Sequence, residues 1–212
     1  MKKIIFLLIL IPFTVLAKYN PGSITFNDGT TKNGFIEIPK YKDIKIKFKS
    51  EENGKTEKFK IEDVKGFQIQ NEKNTTDNYT TIIVGNNKIF NPTKFNLDDK
   101  KSFVKIVKQG KISVYLIHFE GNSAGGSNGK MRNSYYEGDS YYLQRENDDF
   151  AFAIGIHRSD LNFMTGFNLY MVVEMNFKDI CPNFVELLKK EELKATEFYK
   201  IVEIYEQNCG GN

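Results

Sequence analysis

Two histidines, two cysteines and two tyrosine pairs are the residues of this 212-residue chain whose chemistry could define a site. His118 sits beside Phe119 in an apolar run that alternates as a strand does, where a packed or surface-facing imidazole is the simpler reading than a base. His157 is followed by Arg158-Ser159-Asp160. That run holds the residue types of a hydrolytic triad, but a triad converges in space rather than along the chain. Capping of a following helix by Ser159 or Asp160 accounts for the same residues. Two distant His and two Cys do not make a zinc site. Asp98-Asp99 and Asp148-Asp149 lack the spaced acidic loop of a calcium site. The glycine-rich run Gly121–Gly126 has no Lys where a phosphate cradle needs one. No catalytic residue, cofactor or metal is expected, and the chain reads as a non-enzyme.

Tyr135, Tyr136, Tyr141 and Tyr142 are the candidate ligand surface. On a hairpin turning near Gly138-Asp139, one ring of each pair would face out. Rigid, amphipathic phenol rings suit sugar or protein contacts. Ordinary cross-strand aromatic packing is the alternative.

Cys181 and Cys209 are the only cysteines. Their even number and the leader described next favour a structural disulfide. Two buried thiols are the alternative, and the C-x-x-C spacing of a redox pair is absent. Lys2 and Lys3 precede an apolar run from Ile4 to Ile11, broken by Pro12 and followed by Val15-Leu16-Ala17. Charged start, short apolar middle and small-residue exit are the parts of a secretory signal peptide cleaved after Ala17. The run is shorter than the roughly 20 residues a bilayer span needs, so an uncleaved anchor is the weaker reading and no stable span is expected after cleavage. Export would place the chain in the periplasm or outside the cell.

Composition narrows the partners. The net charge is +3, and removing Lys2 and Lys3 leaves +1. A near-neutral chain has no general pull on nucleic acid, so the expected partner is an envelope or extracellular protein or glycan. The stretch from Lys40 to Lys65 carries nine Lys against six acids, a pattern that reads as solvated strand faces ahead of a polyanion site. Forty per cent hydrophobic and 14% aromatic residues can supply a real core.

The elements that must position these residues are mainly β. Ser23–Phe26, Gly34–Ile38, Ile44–Phe48 and Lys58–Glu62 alternate with period two, and Val64, Phe67 and Ile69 complete the set. Asp28-Gly29 and Asn53-Gly54 mark tight turns between them. Five short strands so spaced predict a small antiparallel barrel over residues 18–70. Its turn-and-glycine pattern, Asp28-Gly29, Gly34 and Asp63-Val64, resembles SH3-like and Sm-like barrels, a resemblance that implies fold and not function. A second antiparallel sheet is expected over 79–157. Its strands are 80–84, 88–90, 103–108, 112–119, 135–144 and 150–156, with turns at Asn86-Asn87 and Gln109-Gly110 and a flexible loop at 120–134. A helical segment fills 159–212. Met164, Phe167, Met171 and Met175 would form one apolar helix face. Pro182 would open a second helix burying Phe184, Val185 and Leu188. Thr196 would cap a third, carrying Phe198, Ile201, Val202 and Tyr205 and ended by Gly210-Gly211. Cys181 and Cys209 then lie at the ends of an antiparallel helix pair that meet. The fold class is α+β: an SH3-like barrel, a second antiparallel sheet and a disulfide-stapled helical tail.

Taken whole, the chain resembles a group of uncharacterised exported bacterial proteins. The likeness rests on Asp28-Gly29 with Gly34, the strand Phe103–Val107, Gly110 with Ser113-Val114-Tyr115, and Cys181-Pro182. It implies export and this architecture, and no activity. The expected function is therefore contact with an envelope or extracellular partner. A glycan-binding module using the tyrosine hairpin is the second reading and a cryptic hydrolase the third.

Overall fold

The computed structural model describes residues 18–88, 91–125, 132–158 and 166–210; the leader 1–17, Ser159, Asp160, Met164 and Gly211 lie outside them. Eleven strands, three α-helices and one 3-10 turn fill the described residues. The strands are β1 (Tyr19–Phe26), β2 (Thr31–Glu37), β3 (Lys45–Lys49), β4 (Glu57–Lys60), β5 (Val64–Gln70), β6 (Thr76–Lys88), β7 (Asn91–Leu97), β8 (Ser102–Lys108), β9 (Ile112–Gly125), β10 (Arg132–Arg145) and β11 (Phe150–Arg158).

The first five strands follow the predicted alternation. Ile24, Ile36, Ile46, Phe48, Val64, Phe67 and Ile69 turn inward and close one core. The Asp28-Gly29 turn forms as read: Gly29 takes φ +85°, and the Asp28 carboxylate accepts from the Thr30 amide and hydroxyl at 2.9 and 2.7 Å. β1 pairs with both β2 and β5, so these strands run in the order β5-β1-β2-β3-β4. Gly22 and Gly34 face each other across β1 and β2. A Cβ on Gly22 would lie 2.0 Å from the Gln68 carbonyl oxygen, and one on Gly34 2.2 Å from that of Lys49. Only glycine permits that approach, which lets the strands coil tightly around a small core.

The expected separate second sheet is not formed. Hydrogen bonding is continuous through β6, whose 13 residues exceed the length of one ordinary strand. Its first half pairs β5 on one edge and β8 on the other. Its second half pairs β7 antiparallel and β11 in parallel. The ladder β6-β8-β9-β10-β11 thereby returns to β6. Ile82, Val84, Val104, Tyr115, Ile117, Tyr142 and Ala151 fill the inside of that ring. The turn expected at Asn86-Asn87 is strand, and β7 was not foreseen because Pro92 and the polar residues around it break its alternation.

β9 and β10 also run further than expected. They stay in register from Ile112↔Arg145 to Gly125↔Arg132. Residues 120–125 and 132–134 of the predicted loop are therefore paired strand, and 126–131 lie outside the described residues. β10 passes straight through Gly138-Asp139, where a hairpin turn was expected. Glycines in this ribbon are compensated across the ladder. Gly121 is paired with Tyr136 and Gly138 with Phe119, and each ring lies over its glycine.

The outer face of β9–β11 carries the helices α1 (Gly166–Phe177), α2 (Pro182–Lys190) and α3 (Tyr199–Cys209). Ile112, Val114, Tyr141, Leu143, Phe152 and Ile154 from the strands meet Phe177, Phe184, Leu188, Ile201 and Val202 in the second large core. α2 buries Phe184, Val185 and Leu188; Phe198, just before α3, and Ile201 and Val202 within it are buried, and Tyr205 is half-buried. α1 is rotated from the expected face: Leu169, Val172, Val173 and Phe177 are buried while Met175 is 44% exposed. The helix is apolar nearly all round, so its period offered more than one face, and the sheet took the compact branched side chains. Thr196 is not a cap but lies within the 3-10 turn Ala195–Glu197, where the Glu197 carboxylate accepts from the Lys194 amide at 3.1 Å. Cys181, just before α2, and Cys209, at the end of α3, form a disulfide with Cα atoms 6.1 Å apart.

Candidate functional site

The four tyrosines do not share a surface. β10 is one straight strand, and alternation along it sends neighbours to opposite faces. Tyr141 packs edge-on against Phe198 beneath the helices and Tyr142 lies inside the strand ring; they are 5% and 3% exposed. Burial pushes the Tyr141 hydroxyl up to about 12, with Asp139 adding to the effect, and raises that of Tyr142 in the same direction. Neither ring is available to a ligand in this fold. Tyr136 is partly covered by Phe119 and by the Arg158 guanidinium, 4.1 Å above its centroid. Tyr135 alone projects, 58% exposed.

The histidines are brought closer than the sequence shows. His118 and His157 are the register partners of Asp139 on its two sides. Directly paired residues share a face, so the three form a row across β9, β10 and β11. The His118 Nδ1 is 3.0 Å from the Asp139 carboxylate. The row is open to water, with half of the His118 side chain exposed. Ser140 lies on the opposite face of β10. Among the described residues, no group of three or more His, Cys, Asp or Glu is placed to hold a metal ion.

One recess was not anticipated. It is a cleft of about 680 Å³ at the open end of the first core, between the ends of β1 and β2 and the β5–β6 turn. Ile38 and Ile69 contribute apolar surface, and Lys18, Glu37, Lys40, Glu72, Lys73 and Asp77 contribute charge. Alternation explains the position: Asn20 and Ile38 continue the inward registers of Ile24 and Ile36 past the point where the core is filled. Ile38 is thus left 42% exposed. Its place just before Pro39, on the inward register at a strand end, is the sequence signal that could have marked it.

The rim is held by paired charges. Lys18 binds Glu72, which lowers the Glu72 pKa. Asp77 holds Lys105 at 2.8 Å. Glu37 accepts from Lys47 at 2.8 Å, which raises the Lys47 pKa. The second Glu37 oxygen, Oε2, is buried with no protein hydrogen-bond partner. On the other side of Ile38, a recess of about 420 Å³ is lined by Pro39, Lys40, Tyr41, His118 and Glu120. Lys40 reaches Glu120 at 3.3 Å, tying the β2–β3 connection to the β9–β10 ribbon. Both recesses share Ile38 and Lys40.

Comparison of the chain with protein-family models, curated proteins and solved structures gave no match. Function is therefore read from the chain's own residues.

Proposed function

We propose that the protein is an exported, non-catalytic interaction module that engages a partner through the cleft at Ile38. The observation that carries this reading is the combination within one open recess of apolar surface at Ile38 and Ile69 with a rim of charged side chains. A concave, partly apolar site with a few polar anchors suits a small ligand or a protruding side chain of a partner.

Export is supported by the leader composition and by the disulfide, which fits an oxidising compartment. Among the described residues no helix is long and apolar enough to cross a membrane. The order β5-β1-β2-β3-β4 around one small core supports the SH3-like reading of residues 18–70. The glycan reading retains Tyr135, whose exposed ring lies beside Glu120 and Lys40 at the edge of the second recess.

Capture from envelope and secreted fractions tests the proposal, with oxidised mature protein as bait beside Ile38→Asp and Tyr135→Ala baits. The proposal expects a partner held by the native bait and lost with Ile38→Asp. Loss with Tyr135→Ala alone would move the site to the ribbon. Turnover of any substrate that depends on His118 would replace a binding module with an enzyme.

A further inference from the structure

A second surface, remote in chemistry from the cleft, lies on the outside of β3 and β4. Ile46, Phe48 and Phe59 turn into the core, so Lys45, Lys47, Lys49, Lys58 and Lys60 occupy the opposite face. The register sets Lys45 directly across from Lys60 and Lys47 directly across from Lys58. Like charges in direct cross-strand pairs destabilise a sheet. Intramolecular compensation is sparse. Glu37 neutralises Lys47, and Lys49 reaches the Glu52 carbonyl and the Tyr19 ring. Among the described residues no carboxylate pairs with Lys45, Lys58 or Lys60, and all three are exposed. Glu62 and Asp63 border the recess beside Lys45 and Lys60 without pairing with either.

Edge protection is the competing explanation, because β4 ends the sheet and lysines on an edge strand oppose aggregation. That accounts for Lys58 and Lys60. It does not account for Lys45 and Lys47 facing them from an interior strand, where the added charge raises the repulsion. We infer that the β3–β4 face binds a linear polyanion, and specifically an acidic polysaccharide. Lysines two apart on a strand are about 6.8 Å apart, and paired residues across the ladder about 5 Å. Two short parallel rows of charge match a repeating polymer better than a single anion. Lysine point charges suit carboxylate or sulfate groups without a demand for bidentate geometry. The disulfide's oxidising compartment makes acidic sugars, rather than nucleic acid, the polyanion at hand.

The test uses the oxidised mature protein with heparin oligosaccharide and polygalacturonate as probes and a duplex DNA of equal charge as comparator. The ladder variant Lys45→Gln/Lys58→Gln/Lys60→Gln is set beside a control, Lys100→Gln/Lys101→Gln/Lys178→Gln, of the same net charge. Native protein and control should bind either sugar polymer at low salt, and the ladder variant at least about tenfold more weakly. The slope of log K against log salt should fall by about two to three in the ladder variant, one counterion for each lost contact. Its melting temperature should be unchanged or higher, since repulsion is relieved, which separates lost binding from lost folding. Equal weakening in ladder and control variants, no binding at low salt, or tighter binding of DNA than of both sugar polymers would each overturn the assignment.

Discussion

At the scale of single residues, alternation along one strand decides which tyrosines can act. Tyr141 and Tyr142 were legible as a pair with opposite faces. What could not be read was that both sides of β10 are covered at that point, one by helices and the other by the strand ring. Their burial has a measurable consequence. In an unfolded chain a phenol loses its proton near pH 10. Burial pushes the Tyr141 hydroxyl up to about 12, and raises those of Tyr79 and Tyr142. Between those pH values the folded state binds more protons than the unfolded one, so stability falls as pH rises. The contribution is fully present below about pH 10 and is lost through about pH 12, near 1.4 kcal/mol per pH unit for each such phenol. Tyrosinate absorbance should therefore rise in two waves, the second coinciding with loss of tertiary structure. A single wave from all 11 tyrosines with the fold intact would show that these rings are not sequestered.

At the scale of elements, the sequence was most informative where one face of an element meets water. Strands β1 to β5 and helices α2 and α3 have clean apolar periods, and most of their expected inward residues are buried, while Ile44 lies before β3 at 43% exposure and Tyr205 is half-buried. α1 lacked a polar face, so periodicity could not choose its orientation, and the side facing the strands was settled by what fits the sheet. The rotation is testable by comparing two positions. Leu169 is fully buried and Met175 is 44% exposed. Leu169→Ala should cost about 2–5 kcal/mol through lost contacts and a residual cavity. Met175→Ala should stay within about 0.5 kcal/mol. Denaturant midpoints for the two variants decide the matter, and the reverse order would restore the face expected from Met171 and Met175. The cleft escaped the sequence reading for a related reason. Asn20 and Ile38 obey the strand alternation, and only the assembled sheet shows that nothing packs beyond them.

At the scale of the whole molecule, long strands join what the sequence divides. β6 donates its edges to both cores, so the N-terminal five strands and the remainder share one hydrogen-bonded sheet. Phe67 stacks on Tyr79 of β6 at 4.4 Å and meets Phe103 of β8, which carries side-chain packing across the same junction. The helical layer is attached differently, through its apolar face, and Cys181–Cys209 ties the start of α2 to the end of α3 within the layer. That bond closes a loop with a sequence separation of 28, worth about 3–4 kcal/mol in the chain-entropy account. Phe177, Phe184 and Tyr205 pack edge-to-face beneath it, with centroids 5.2 to 5.6 Å apart, so the layer has cohesion of its own. The double variant Cys181→Ser/Cys209→Ser should therefore fold, with stability lower by about 3 kcal/mol. Amide exchange should rise first in α2 and α3 while β1 to β5 stay protected, because local opening follows the weakest attachment. Uniform acceleration across the chain would instead mean that sheet and helices unfold as one unit, with the disulfide stabilising the whole rather than the helical layer.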